Sequence, residues 1–305
     1  MTSDSSTSSS DMDHIPSLPP LYFQNRKDDD VIPLPSEILT SVLSYLDWGD
    51  YARLAPVHST FKSIMHDAAA IGGHDSKWSL AKSLLDGTNG LKSNASLAIQ
   101  YLEDLSAINI DEEPNEETYQ DPISNETYEQ YFPPAMMQLA TCFLRGYGTS
   151  QDSRKGLGWL RAASRYGNVD AAFDLATIYE YGKFSVDVDI VLAAEWFLGA
   201  ARAGHVESMA EYAMCCELGC GVEQSDNEAL DWYTKAAGYG HITSNFSIGE
   251  FFEKAQGGLP QSDSEAVLWY YKAALMGDED SRKALNRLND IARIVVPGWA
   301  ATLNV

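Results

Sequence analysis

From residue 135 onward, apolar and small residues recur at helical spacing in paired segments, and the pair appears four times before residue 280. The first segment carries a small residue, an apolar one four later, a small one next, and a ring or thiol three further on. It reads Ala135, Leu139, Ala140 and Phe143 in repeat one, and Ala171, Leu175, Ala176 and Tyr179 in repeat two. Repeat three has Ser208, Tyr212, Ala213 and Cys216, and repeat four has Ser244, Ile248, Gly249 and Phe252. Steps of three and four put these residues on one helix face, and the small ones let a neighbouring backbone come close. Gly146, Gly182 and Gly219 then supply a left-handed stop, for which repeat four substitutes Ala255.

The second segment is built on Trp159, Trp196, Trp232 or Trp269, with small residues four and five later and Gly167, Gly204, Gly240 or Gly277 after them. Seven residues before each tryptophan stands an N-cap former, Asp152, Asp189, Ser225 or Ser262, and Glu228 and Glu265 complete capping boxes in the last two. The tryptophans are expected in the core. A period of 36 or 37 residues predicts helix pairs stacked into an α-solenoid, an architecture that usually recognises other proteins.

The pattern divides the chain further. Residues 1–29 are rich in Ser, Asp and Pro and carry too little apolar surface to offset the entropy of ordering, so a disordered tail is expected. Residues 31–70 read as three short helices, with Pro35 in a first turn, one stripe of Ile38, Leu39, Val42, Leu43 and Leu46, and another of Val57, Phe61, Ile64 and Met65. Residues 75–108 give a degenerate helix pair with Tyr101 near the tryptophan position, and 111–134 an acidic, proline-bearing loop without Lys or Arg. Residues 135–280 hold the four repeats. From 281 to 305 one amphipathic helix, Ser281 to Val296, and a tail are expected to cap the array.

The W-x-x-x-A-A-x-x-G core over 135–280 resembles the SEL-one-like repeat, a relative of the tetratricopeptide repeat whose members serve as protein-binding scaffolds. Departures are Ser164 for the second Ala, Ala255 for the turn Gly, and the GKFSVDV stretch in place of a Gly-x-Gly turn. The segment from about Ile32 to Met65 resembles an F-box, on Leu34-Pro35 with Glu37 and Ile38, Leu43, the Leu46-Asp47 pair, Asp50, Leu54, Val57, Phe61 and Ile64. Phe61 stands where many members have tryptophan.

That second resemblance implies docking of Leu34, Pro35, Ile38, Leu39, Leu43, Leu46, Leu54, Val57, Phe61 and Ile64 on the Skp adaptor, and through it on a cullin. The chain would then be the substrate receptor of an SCF-type ubiquitin ligase. The alternative is a ligase-independent scaffold in which this apolar trio caps the solenoid or makes a dimer contact.

Composition narrows the chemistry. With 21 basic against 44 acidic residues the chain has a formal charge of −23, which disfavours nucleic acid and anionic membranes as partners. Neither a secretory signal nor an apolar run of spanning length is present, so cytosol or nucleus is expected. Cys142, Cys215, Cys216 and Cys220 lack a Cys-x-x-Cys spacing or a histidine doublet, so packing is the expected role and no metal or other cofactor is assigned. His205 and His241 follow repeat glycines where Asn168 and Asp278 stand in the other repeats, which reads as turn capping. No nucleophile elbow or phosphate loop appears, and no catalytic residue is assigned.

The expected client-binding groove lies along the first helices, with Leu144, Glu180, Glu217 and Glu253 as exposed positions before each turn. Three acids in that column fit either a basic client segment or ordinary solvated decoration.

Overall fold

Ten helices of twelve or thirteen residues, each with a left-handed residue at or just past its end and most opened by a side-chain cap, followed by three shorter ones, make up the computed structural model, which describes residues 74–87, 93–108 and 131–303. The F-box-like segment 31–70, the tail 1–29 and residues 111–130 of the acidic segment lie outside the described residues. Thirteen α-helices occur among the described residues: α1 (His74–Asp86), α2 (Ala95–Ser106), α3 (Pro133–Arg145), α4 (Ser153–Arg165), α5 (Val169–Tyr181), α6 (Ile190–Arg202), α7 (Val206–Leu218), α8 (Asp226–Gly238), α9 (Ile242–Lys254), α10 (Asp263–Leu275), α11 (Glu279–Arg287), α12 (Asn289–Val295) and α13 (Trp299–Leu303). Through α11, each helix packs on those before and after it in sequence. The all-α solenoid follows from that nearest-neighbour packing. The first helices of the pairs, α1, α3, α5, α7 and α9, are called A helices below; α2, α4, α6, α8 and α10 are B helices.

Capping chemistry explains the boundaries. Asp152, Asp189, Ser225 and Ser262 accept from the backbone N–H groups of Lys155, Leu192, Glu228 and Glu265, which satisfies one orphan donor at the start of each B helix. Their own N–H groups donate to the carbonyls of Phe143, Tyr179, Cys216 and Phe252 on the preceding A helix, so one residue both opens a B helix and ties it to its partner. Each A helix ends in αL, at Gly146, Gly182, Gly219 and, without glycine, at Ala255 (φ 56). α3 begins at Pro133, inside the stretch expected to be loop through 134, because proline in a first turn has no N–H to lose.

A second turn glycine sets the spacing between repeats. A methyl on Gly148 would lie 2.2 Å from the Ala95 Cβ at the start of α2, and one on Gly221 would lie 2.1 Å from the Ile190 carbonyl oxygen at the start of α6. Repeat two solves the same contact without glycine: Phe184 takes φ 57 in the 3-10 turn Lys183–Ser185, and its carbonyl accepts from the Ser153 hydroxyl at the start of α4. The GKFSVDV stretch is therefore a left-handed turn that keeps the repeat's contact.

The core runs between A and B helices through residues such as Leu139, Leu175, Ala176, Ala213 and Ile248. Trp159 and Trp196 are buried in it, each worth about 4–6 kcal/mol of gross apolar transfer before entropy. Trp232 and Trp269 differ from the expectation, being half-buried. Three residues beyond them stand Lys235 and Lys272, in place of Ala162 and Gly199, with ammonium groups 3.7 and 4.9 Å from the indole centroids. Those lysine stems cover the rings from outside and hold them by cation–π attraction.

The expected single helix from Ser281 to Val296 is two helices. Leu288 (φ −92, ψ 25) breaks it, and α12 and α13 fold back so that Trp299 and Leu303 bury against Val267 and Tyr270 of α10.

Candidate functional site

Aligned by position, the last residues of α3, α5, α7 and α9 are Arg145, Tyr181, Leu218 and Lys254, and the residues before them are Leu144, Glu180, Glu217 and Glu253. The second column is the expected groove, and the structure corrects it in part. Leu144 is 5% exposed, packed over Gly156 of α4, because Gly156 leaves open the space that an alanine side chain takes at Ala193, Ala229 and Ala266 in the other repeats. Glu180, Glu217 and Glu253 are half-buried. Glu217 accepts from the Tyr233 hydroxyl at 2.9 Å, and Glu253 from the Tyr270 hydroxyl at 2.9 Å. Each tyrosine directly follows a repeat tryptophan, where repeats one and two have Leu160 and Phe197.

Glu253 also receives both guanidinium nitrogens of Arg287 from α11. Hydrogen bonding from Arg287 first, and from Tyr270, holds its carboxyl below the usual carboxylate range. Burial, and then the glutamate acceptors, push the Tyr233 and Tyr270 phenols up, so both stay protonated donors. Glu253 thus serves the joint between the last repeat and the C-terminal helices. The ten F-box-like positions from Leu34 to Ile64 lie outside the described residues.

The last-residue column, unlike the acidic one beside it, is not marked by any recurring residue type. Tyr181 and Leu218 are each 62% exposed and Met214, one turn before Leu218, is 38% exposed. Beside them, at one equivalent position of α5 and α7, sit Asp174 and Glu211. Burial and then the Asp170 charge raise the Asp174 carboxyl, and burial and then Glu180 raise that of Glu211. A signal was available: two apolar residues interrupt a column that is basic in the flanking repeats.

One cluster invites a catalytic reading and fails it. His205 Nδ1 lies 2.9 Å from the Ser208 hydroxyl, and its Nε2 lies 3.5 Å from Asp170, the residue types of a hydrolytic triad. Ser208, however, is fully buried, and its backbone N–H already donates to the same Nδ1 at 3.1 Å. The arrangement recurs as His241 with Ser244, and Asn168 and Asp278 accept in the same way from Ala171 and Ser281. The imidazoles are N-caps, as the sequence position implied. His241 lines an open pocket of ≈ 480 Å³ with Val206, Glu207 and Tyr239 to Thr243, and burial lowers its pKa, which keeps the ring neutral and accepting.

Three of the four cysteines are packed away from any nucleophilic role, and Cys220 is exposed. Cys142, Cys215 and Cys216 are buried, and burial first of all pushes the Cys142 and Cys215 thiols up to about 11 and about 12. Among the described residues no group of three or more His, Cys, Asp or Glu side chains is placed to hold a metal ion, and no helix is long and apolar enough to cross a membrane.

Comparison with known proteins places this geometry. The chain is similar to the chitin synthase regulator SKT5 of Saccharomyces cerevisiae, 36% identical over 103 residues, which are 32% of this chain and 14% of that protein. Among solved structures it is similar to a protective antigen of uropathogenic Escherichia coli strains displaying an SLR fold, at 18% identity and TM-score 0.60, covering 89% of this chain and 56% of the other. It is also similar to a Sel1 repeat protein from Oxalobacter formigenes, at 18% identity and TM-score 0.52, covering 84% and 94%. At that identity the likeness shows the fold. The Sel1 repeat family model matches residues 74–103, 133–168, 169–205, 206–240 and 243–278, more than half of the sequence, and the chain belongs to the Sel1 repeat family.

Proposed function

We propose that this chain is a non-catalytic scaffold that holds a partner protein on its A-helix face. The observation that carries the reading is a division of labour. His205, His241, Ser225, Ser262, Asp152, Asp189 and Asp278 cap helices, and the buried cysteines pack, while Tyr181, Met214 and Leu218 stay exposed on the A helices. A face that keeps large apolar side chains in water is an interaction surface. The yeast relative is by name a regulator, which suits a chain that acts by binding, although it spans only a small part of that protein.

Photo-crosslinking tests the reading in cells. A photoreactive residue at position 214 on α7 is expected to give discrete protein adducts, and one at position 234, exposed on α8, is not. Adducts from position 234 and none from position 214 would reverse the assignment.

A second reading, favoured by the set from Leu34 to Ile64, makes the scaffold the substrate receptor of an SCF-type ubiquitin ligase, with the Skp adaptor on the N-terminal segment. Cytosol or nucleus would be its place of work. Co-purification with the Skp adaptor, lost on Leu34→Ala with Pro35→Ala, is the expected result. Retention by that double variant would sink the docking face, and no co-purification at all would sink the ligase role while leaving the scaffold standing.

A further inference from the structure

The two central repeats differ from their flanks in a way that specifies a partner. In repeats one and four the last A-helix residue is a cation, Arg145 or Lys254, which the C-terminal end of a helix favours. In repeats two and three it is Tyr181 or Leu218. Repeat four also neutralises its own acids: Lys254 pairs with Glu250 at 2.9 Å, and Arg287 with Glu253. The central pair instead gathers Asp170, Asp174, Glu180, Glu207 and Glu211 along one face. Facing them are Lys183, whose ammonium lies 5.0 Å from the Tyr181 ring centroid, and His205, between Asp170 at 3.5 Å and Glu207 at 3.6 Å.

The residues act as one patch across two helices. Burial first and then Glu180 on α5 raise the Glu211 and Cys215 groups on α7, and Glu180 first, with Glu211 a lesser cause from across the helix pair, raises the Tyr181 phenol. A half-buried carboxylate held beside another carboxylate is already partly desolvated, so a cation placed there recovers attraction with less dehydration than at a free surface. Between the acids, Met214 and Leu218 share one face of α7 at i and i+4, with Tyr181 contributed by α5.

We propose that the A-helix face of repeats two and three docks a basic segment of a partner protein. An aliphatic side chain of that segment seats on Tyr181, Met214 and Leu218, and lysine or arginine on either side pairs with Asp174, Glu180 and Glu211. The assignment deepens the scaffold reading and rests on it. It keeps only Glu180 of the four positions read from sequence, because Leu144 is core, Glu217 accepts from the Tyr233 hydroxyl and Glu253 belongs to Arg287.

Fluorescence anisotropy on the full chain tests it, with a labelled peptide alternating arginine and leucine as the probe and an arginine-serine peptide of equal charge as control. The arginine-leucine peptide is expected to bind more tightly, and Tyr181→Arg with Leu218→Lys is expected to weaken it by about tenfold or more. That variant copies the residues of repeats one and four, so folding is preserved. A charge-matched variant on the B helices, Thr234→Lys with Leu268→Lys, is expected to stay within about twofold of wild type.

Equal weakening by the two variants, or no preference for leucine over serine, would reduce the binding to the chain's overall charge and overturn the proposal. Failure of the peptide with adducts still forming at position 214 refutes the chemistry of this patch alone. Loss of those adducts as well removes the scaffold reading with it.

Discussion

Gly219 and Gly221 lie two residues apart in one turn, both with positive φ (70 and 74), yet their hydrogens face different surroundings. A Cβ on Gly219 would meet the Gln224 Cβ at 3.2 Å, a tight contact that a shift of a few tenths of an ångström relieves. On Gly221 it would lie 2.1 Å from the Ile190 carbonyl oxygen, 2.7 Å from its carbon and 3.1 Å from the Val191 Cα, all backbone at the start of α6. Alanine in the left-handed region costs about 1–2 kcal/mol, of which about 0.4–1 kcal/mol returns through the stiffer unfolded chain. Both substitutions carry that backbone cost, and Ala255 shows that the array tolerates it at the position equivalent to 219. Only Gly221→Ala must also push the turn off α6, an overpacking cost of about 1–3 kcal/mol. The expected destabilisations are about 1 kcal/mol for Gly219→Ala and about 2–4 kcal/mol for Gly221→Ala. Urea unfolding followed by far-ultraviolet circular dichroism measures the totals, and hydrogen exchange of α6 and α7 amides locates the loss, which matters because repeat arrays can open in parts. If the two variants unfold at the same urea concentration, the second glycine does not set repeat spacing and the account of the Gly-x-Gly turn is wrong.

Three further outcomes follow from the same geometry. Ala255→Gly relieves a non-glycine αL residue and is expected to stabilise by about 0.5–1 kcal/mol, read as a higher urea midpoint at unchanged slope. His205→Asn copies the cap of repeat two and is expected to be near neutral, whereas His205→Ala loses it at about 1 kcal/mol; equal losses would deny the capping role. Glu211→Gln removes a carboxyl whose folded pKa is raised, so the native chain carries a stability penalty that is absent below the ordinary 4.5 and complete above the folded value. The variant is therefore expected to unfold later than wild type at pH 7, with the difference shrinking as pH falls through the folded pKa. Thermal scans at pH 7 and pH 5 check the sign, and a difference that grew on acidification would contradict it.

The pattern of residues was most legible where one side chain decides a local geometry. Asp152, Asp189, Ser225 and Ser262 could be read as N-caps because capping needs only a short acceptor three residues ahead of a free N–H. Gly146, Gly182 and Gly219 were legible for the same reason. What escaped depended on partners distant in sequence. Leu144 occupies the column of Glu180 and Glu217, and only the packing of α3 on α4 shows it as core. The half-burial of Trp232 turns on Lys235 lying over its ring, which the tryptophan's recurrence could not reveal. Arg287, from a helix expected to be a plain cap, withdraws Glu253 from the acidic column.

Those misses sharpen the functional argument. Repeats are selected first for stacking, so a position that keeps its burial across the array says little about recognition. Information about a partner lies where equivalent positions disagree without a packing reason. The last A-helix column is such a place. Its flanking members, Arg145 and Lys254, obey the helix dipole, and its central members, Tyr181 and Leu218, surrender that stabilisation, about 0.3–1 kcal/mol each, to leave apolar surface in water beside carboxylates with raised pKa values. No contact within the described chain recovers the loss at Leu218. A fold that gives up stability at two equivalent positions of one face, and at neither flank, is what the proposed docking of a partner on that face requires.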